Sequence, residues 1–405
     1  MSAEAEDGLI LAVNAGSSSL KVAGFSVVDG ALRDVLRIGI DLSSDKAPAL
    51  SGDPVLCRAV QATALTLAAK RNGSAFIVAL LDAVPVAAVA HRIVHGGDEP
   101  RECVPLDDAR RAALHALSPL APLHQPAALA IADAVANAQP ALPQFACLDT
   151  AFHAGMPAVA REYALPQAIR ARHPHLHTFG FHGISCRSAV EQLRGAGLPA
   201  RLIIAHLGSG ASVTAVRNGH SIATSMGFSA LDGLPMATRP GRLDPGVLLY
   251  LLRHEQPDVD ALEDLLYRRS GLLGISGISS DMRVLLASDN PAAKNAVDFF
   301  VYRNLMEIGA LTAALGGLDA LVFTGGVGEH QGIIRARIGE GLRWLGASID
   351  PAANARHAQH IGAADSRIAL RVVACDEEAV MAAGVRGQQC ATYPAAPTTR
   401  TTSGG

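Results

Sequence analysis

The sequence predicts an α/β protein made of two related halves, and three observations carry that expectation. The chain is 49% hydrophobic but only 4% aromatic. Ala, Leu, Val and Gly dominate, which suits tightly packed layers of sheet and helix. Its 405 residues are enough for one very large domain or two ordinary ones. Finally, an apolar strand, a turn of small residues and a return strand at 9–28 come back in the same order at 203–216. A repeat separated that widely exceeds any solenoid period and fits duplicated domains facing one cleft.

Lys and Arg number 34 against 37 Asp and Glu, for a net charge of -3. That balance argues against nucleic acid as a partner, and leaves room for a small anion held by a few local cations. Cys57, Cys103, Cys147, Cys186, Cys375 and Cys390 are scattered, with neither zinc-site nor disulfide-framework spacing. A reducing cytoplasm is the simplest setting. The acidic start, MSAEAEDG, is unlike a signal peptide. The most apolar long segment, 75–90, is broken by Asp82 and Pro85 and is too short to span a bilayer.

The first element is LILAVNAGSSSLK, 9–21: a buried strand, then a turn. Its small residues let backbone N–H groups crowd an anion. Ser17, Ser18 and Ser19 add hydroxyls, and Lys21 adds a cation suited to phosphate. A hairpin tip with a solvated lysine is the bland alternative. Residues 22–28 read as a second strand, with a hairpin turn at Asp29–Gly30. Helical spacing follows at 56–71 and 107–117.

Between them, HRIVHGG at 91–97 puts Arg92 and Val94 on one strand face. A cation beside a hydrophobe suits a small carboxylate with an alkyl tail; an edge strand with an exposed arginine is the alternative. LAPLHQP opens a helix over 120–139 with Pro126 in its first turn. FACLDTAFH, 145–153, is a strand ending in Asp149, which reads as a site carboxylate or a helix cap. In FGFHG, 179–183, glycines flank His182 and allow close ligand approach.

Residues 224–245 read as an ordered loop holding Arg239 among small, rigid neighbours. A guanidinium there suits a phosphoryl group or a carboxylate, and loops of this length are usually functional. Residues 270–283 read as a Gly/Ser-rich turn before a helix, and 294–315 as the longest helix. DALVFTGGVGEH, 319–330, gives a strand, a glycine turn and a helix start able to cradle phosphates or a sugar. It matches neither the P-loop nor the dinucleotide fingerprint. Residues 370–385 are a strand and an acidic helix start, where Asp376, Glu377 and Glu378 either complement the helix dipole or bind magnesium. The tail from about Gly387 has the composition of a disordered segment.

Ten of these pieces together, in order over roughly 9–385, resemble the acetate kinase family of short-chain fatty-acid kinases. They are NAGSSSLK, HRIVHGG, LAPLH, LDTAFH, GFHG, HLGSGASV, MATRPGRLDP, SGLLGISGISSDMR, FTGGVGEH and the DEE of 376–378. The resemblance implies an α/β fold of two actin-like ATPase (ribonuclease H-like) domains with a nucleotide cleft between them. One would be 1–150 plus 376–390 and the other 151–375, with 391–405 a disordered tail. It implies reversible transfer of the γ-phosphoryl of ATP to acetate, with Mg²⁺, in a cytoplasmic homodimer. A propionate- or butyrate-preferring kinase and a nucleotide sensor with little catalysis are the alternatives.

By the same resemblance, Arg92 and Arg239 hold the carboxylate and the transferring phosphoryl. His182 donates to the equatorial oxygens, and Asp149 orients the carboxylate or a metal-linked water. Asn14 and Glu377 would be magnesium contacts. Ser17, Ser19, Lys21, His206 and the 208–212 turn, with Gly208, Ser209 and Gly210, would hold phosphate. Asp281, Met282, Arg283, Gly325, Gly326, Val327, Gly328 and His330 would line the nucleotide site. Val94, Leu123 and Phe181 would receive the substrate methyl. The chain departs from the family pattern at Ser209 and His330, where Asn is usual. It departs also at Cys186 (His), Arg242 (Asp) and Ala230 (Pro, at the acyl pocket).

Overall fold

A computed structural model describes residues 8–16, 19–41, 48–64, 72–195 and 197–392. Ser17 and Ser18, the 65–71 part of the first predicted helix and the tail from 393 lie outside these residues.

Two mixed sheets are each wrapped by helices. Seven strands form the first: β1 Leu9–Ala15, β2 Ser19–Val28, β3 Ala31–Asp41, β4 Ala49–Gly52, β5 Val86–Ile93, β6 Cys103–Pro105 and β7 Gln144–Leu148. The second has five: β8 Arg201–Leu207, β9 Ala211–Arg217, β10 His220–Thr224, β11 Ala320–Thr324 and β12 Ala369–Val372. The spatial orders are β4-β3-β2-β1-β5-β7-β6 and β10-β9-β8-β11-β12. Without the edge strands β4 and β6 the two sheets are equivalent. Each has an antiparallel meander of three strands whose first member also pairs in parallel with a fourth, and that with a fifth.

The central strands are buried along their length: all seven residues of β1 and all five of β11 are covered. This is what a strand sandwiched between helices demands of its sequence. The hairpins turn on left-handed pairs, Asp29 (φ 49°) with Gly30 (φ 75°) and Asn218 (φ 51°) with Gly219 (φ 85°). These are two-residue turns whose twist matches that of the strands they join.

Side chains alternate between faces along each strand. In the second sheet, Ile203, Ala205, Leu321 and Phe323 pack on the helix Pro291–Leu315, through Val297, Phe300 and Ile308. That helix begins at a cap, Asn290 Oδ1 accepting from Ala292 N at 2.9 Å, and ends at Gly316 with φ 73°. Leu202, Ile204 and Val322, on the other face, pack on Ala189, Val190 and Leu193 of the helix Gly183–Arg194. The same helix sends Ile184 into the core of the first sheet beside Ala12, Ala90 and Cys147. The C-terminal helix Glu377–Thr392 packs there too, through Met381, Ala382 and Val385.

Three readings change. Residues 271–276, expected as a turn, form the short helix Gly271–Ser276. Gly325 is the first residue of the helix Gly325–His330 and not part of a preceding turn. The last helix continues past Gly387 to Thr392, because its apolar face is docked on the first sheet.

Candidate active site

The site gathers at the carboxyl ends of β5, β7, β8 and β11, where open α/β sheets expose loops to ligands. On the first sheet, the Arg92 Nε donates to Asp149 Oδ2 at 2.9 Å, and its Nη2 donates to the same oxygen. Its Nη1 donates to Asn14 Oδ1 at 3.2 Å. Asn14 passes the link on, its Nδ2 donating to Glu377 Oε2 at 2.7 Å and Glu378 Oε1 at 3.0 Å. Asp149 Oδ1 accepts from Ile184 N at 3.4 Å.

Burial alone would lower the Arg92 pKa, but Asp149 and Glu377 outweigh it and hold the guanidinium above its ordinary value. Burial pushes the Asp149 carboxyl up while Arg92 pulls it down. Glu377 is buried as well, yet Arg92, His206 and Asn14 hold it below the usual range, so it stays anionic.

The facing groups come from the start of the helix between the sheets and from the loop after β10. His182, left-handed at φ 57°, opens the helix Gly183–Arg194. Its Nδ1 lies 2.9 Å from Ser212 Oγ, and its ring stacks on His206 at 4.2 Å. Burial, with His206, Arg92 and Arg239 nearby, drives its pKa well below the ordinary 6.5. The ring is therefore neutral, and a Ser212 hydroxyl donating to Nδ1 leaves Nε2 as an N–H donor. A Cβ at Gly210 would lie 3.0 Å from His182 Nε2 and 3.1 Å from Arg239 Nη2. The two side chains thus converge over a turn that only glycine leaves open. Arg239 Nη1 donates to Ala230 O at 2.9 Å. Burial lowers its pKa to about 10, with Arg92 adding to that effect.

Beside these cations, Val94, Ala121, Phe181 and Met236 pack into one apolar cluster, with Ala230 against it. Leu123 is half-buried two residues beyond Ala121.

The turns expected to hold phosphate are each closed by a backbone hydrogen bond. Gly16 N donates to Ser19 O at 2.8 Å, and Gly208 N to Gly210 O at 2.9 Å. Ser209 O accepts from Ala237 N at 3.1 Å, tying its turn to the Arg239 loop. A Cβ on Gly208 would come 3.9 Å from Gly326 N, so the glycine segments after β8 and β11 meet. Lys21 is exposed, and its charge lowers the pKa values of His206 and Glu377. Glu329 Oε1 accepts from Gly325 N at 3.0 Å and from Cys375 N at 3.1 Å, lashing the glycine segment to the approach to Glu377.

Other expected nucleotide residues are not gathered in this way. Asp281 caps the helix Met282–Ala287 and pairs with Arg283 at 2.6 Å, while Met282 is buried in the core. Val327 is half-buried against that core. His330 lines a cavity of about 700 Å³ with Gln331, Ile333, Arg343, Ile349 and Pro351, and the 281–283 and 325–328 segments do not line it.

Reading the sequence missed several members of this network. His124, in LAPLH, sits where burial, Arg239 and Arg92 push its pKa down to about 3. Ser212 lies in the expected 208–212 phosphate turn and Ser185 two residues after GFHG, and what the sequence did not show is their place as partners of His182 and His206. Cys375 had no signal beyond standing two residues before Glu377. Of the departures, Arg242 is neutralised by buried Glu307 at 3.1 Å, and Cys186 is wholly buried between helix and sheet.

The acetokinase family model matches residues 9–383. Acetate kinase of Nitrobacter hamburgensis is 44% identical over 384 residues, covering 92% of this chain and 94% of its own. Acetate kinase of Rhodopseudomonas palustris (CGA009) is 49% identical over 306 residues, 73% of this chain and 76% of its own. The crystal structure of Porphyromonas gingivalis acetate kinase matches at 31% identity with a TM-score of 0.76, covering 93% of this chain and 98% of that one. A propionate kinase from Francisella tularensis matches at 32% identity with a TM-score of 0.79, covering 93% and 98%. The two equivalent sheets are thus the two domains of an actin-like ATPase fold. With its motifs in order along the whole matched length, the chain belongs to the acetokinase family.

Proposed function

We propose that this protein transfers the γ-phosphoryl group of ATP to acetate, reversibly, giving acetyl phosphate and ADP. The observation that carries the reading is the convergence of Arg92 from the first sheet, Arg239 from the loop after β10 and His182 from the helix between the sheets, beside a small apolar wall. An acetate oxygen bonds to the phosphorus as the bond to the ADP oxygen breaks, and no proton need move. Both reactants are anions, so the barrier the protein can lower is electrostatic. Arg92 and Arg239 neutralise the carboxylate and the phosphoryl oxygens, and His182 Nε2–H donates to the latter. Asp149 acts through Arg92, since Oδ2 accepts from the guanidinium and Oδ1 from the Ile184 amide. Val94, Phe181 and Leu123 take the methyl group.

Anionic Glu377 and the Asn14 amide offer the hard oxygen donors that Mg²⁺ prefers. Bound there with the nucleotide, Mg²⁺ would supply charge neutralisation. Lys21, Ser19 and the 208–210 turn would hold phosphate, and His330 would face the base. A hydroxamate assay with ATP, Mg²⁺ and acetate, propionate or butyrate tests the reading; product with none of the three acids ends it.

We propose further that the chain is a homodimer. The helix Pro245–His254 has no buried residue and exposes Val247, Leu249, Tyr250 and Leu252. Phe299, Tyr302 and Met306 are exposed on the helix Pro291–Leu315. An apolar face on that scale suits a second copy. Sedimentation velocity should give a dimer that Tyr250→Glu converts to monomer. The described cysteines are free thiols, in keeping with the cytoplasm, and no described helix is long and apolar enough to cross a membrane.

A further inference from the structure

We propose that His206, Cys375 and Glu377 form a binding site for a thiophilic divalent cation, zinc in the first instance. One ring nitrogen, the Sγ and one carboxylate oxygen of these residues lie within 4.8 Å of one another. Zinc bonds of ~2.3 Å to sulfur and ~2.0–2.2 Å to nitrogen and oxygen put tetrahedral neighbours roughly 3.5 Å apart. Side-chain shifts of about an ångström would therefore complete three corners, leaving the fourth for water or a phosphate oxygen.

Supporting partners already contact all three ligands. The Ser185 hydroxyl lies 2.7 Å from His206 Nδ1 and 3.1 Å from Cys375 Sγ, setting imidazole and thiol side by side. The Asn14 amide donates to Glu377 at 2.7 Å. Such outer contacts orient metal ligands and raise affinity. Arg92 lies 3.8 Å from Glu377 and opposes a cation from that side. Release of the thiol proton on binding supplies the compensating charge.

The donor set decides which metal. Mg²⁺ wants hard oxygens in an octahedron, whereas sulfur, nitrogen and a single carboxylate suit zinc. Glu377 belongs to both sets, so zinc displaces Mg²⁺ from it. The three ligands come from β8 and from the turn and helix after β12, which is why no short Cys or His spacing in the sequence pointed to them.

The test is metal binding by the chelator-treated full chain without nucleotide, which makes its outcome independent of whether phosphoryl transfer occurs. Co²⁺ titration should reach one ion per chain, with a thiolate-to-cobalt charge-transfer band in the near ultraviolet. Competition with a chromophoric chelator should show zinc affinity falling at least about tenfold in Cys375→Ser, with Cys57→Ser unchanged. Cys375→Ala serves if the serine variant fails to fold. Cobalt binding without the thiolate band overturns the proposal. So does unchanged zinc affinity in a Cys375 variant with wild-type circular dichroism.

Discussion

Arg239 shows at the residue scale how little of a catalytic side chain's setting is carried by its own position. Its charge is kept in a buried site beside a second guanidinium, with one neutral acceptor, the Ala230 carbonyl, as its hydrogen-bond partner. An anion arriving there finds a cation with no ion pair among the described residues. Arg239→Ala should lower kcat by about 10²–10³-fold, the usual cost of one such donor, with ATP affinity within a few-fold by calorimetry. A variant near wild-type turnover would remove Arg239 from the reaction. Small neighbours drew attention to His182 and Arg239, a hydrophobe on the same strand face to Arg92, and a strand end to Asp149, while the roles expected of them came from the family resemblance. The partner roles of Ser185, Ser212 and Cys375 were not legible. Their worth lies in contacts such as Cys375 with Ser185, 190 positions apart, and no local pattern encodes a partner that distant.

At the scale of elements, the Arg239 loop is shaped by its glycines. Gly271 has φ +63°, and a Cβ there would meet the Met236 carbonyl and come within 2.7 Å of Arg239 N and O. Gly271→Ala should therefore shift the loop backbone and cut kcat more than ten-fold. The protein should stay folded by circular dichroism, since much of the second sheet's core comes from β8, β9, β11 and the helix Pro291–Leu315. Wild-type kinetics would show that the loop tolerates the displacement. Strand runs and the longest helix were readable because continuous burial and helical period leave plain marks. Strand β10 was passed over although Asn218–Gly219 is a strong hairpin signal. The helix Gly271–Ser276 was hidden by its glycines and serines, which usually mean turn; its place is set by the loop it braces.

For the whole molecule, the duplicated architecture was legible from one repeated strand–turn–strand. The strand order that proves it depends on parallel pairings between remote segments and needed the structure. The same burial that builds the site makes the molecule acid-sensitive. Burial lowers the pKa to about 4 at His91, His95 and His153 and to about 3 at His124. All four lie below the ordinary 6.5, so across that window the unfolded chain binds more protons and stability rises with pH. The stabilisation is complete above roughly pH 6.5 and lost as pH falls toward 4. Urea midpoints should drop steadily between about pH 7 and pH 5; a constant midpoint would mean these rings are solvated.

The helix Gly183–Arg194 has Ile184 in the core of the first sheet and Ala189, Val190 and Leu193 in that of the second. Melting either half strips one flank from a helix the other half needs. Calorimetry should therefore record a single endotherm for both halves, and limited proteolysis should release neither as a stable fragment.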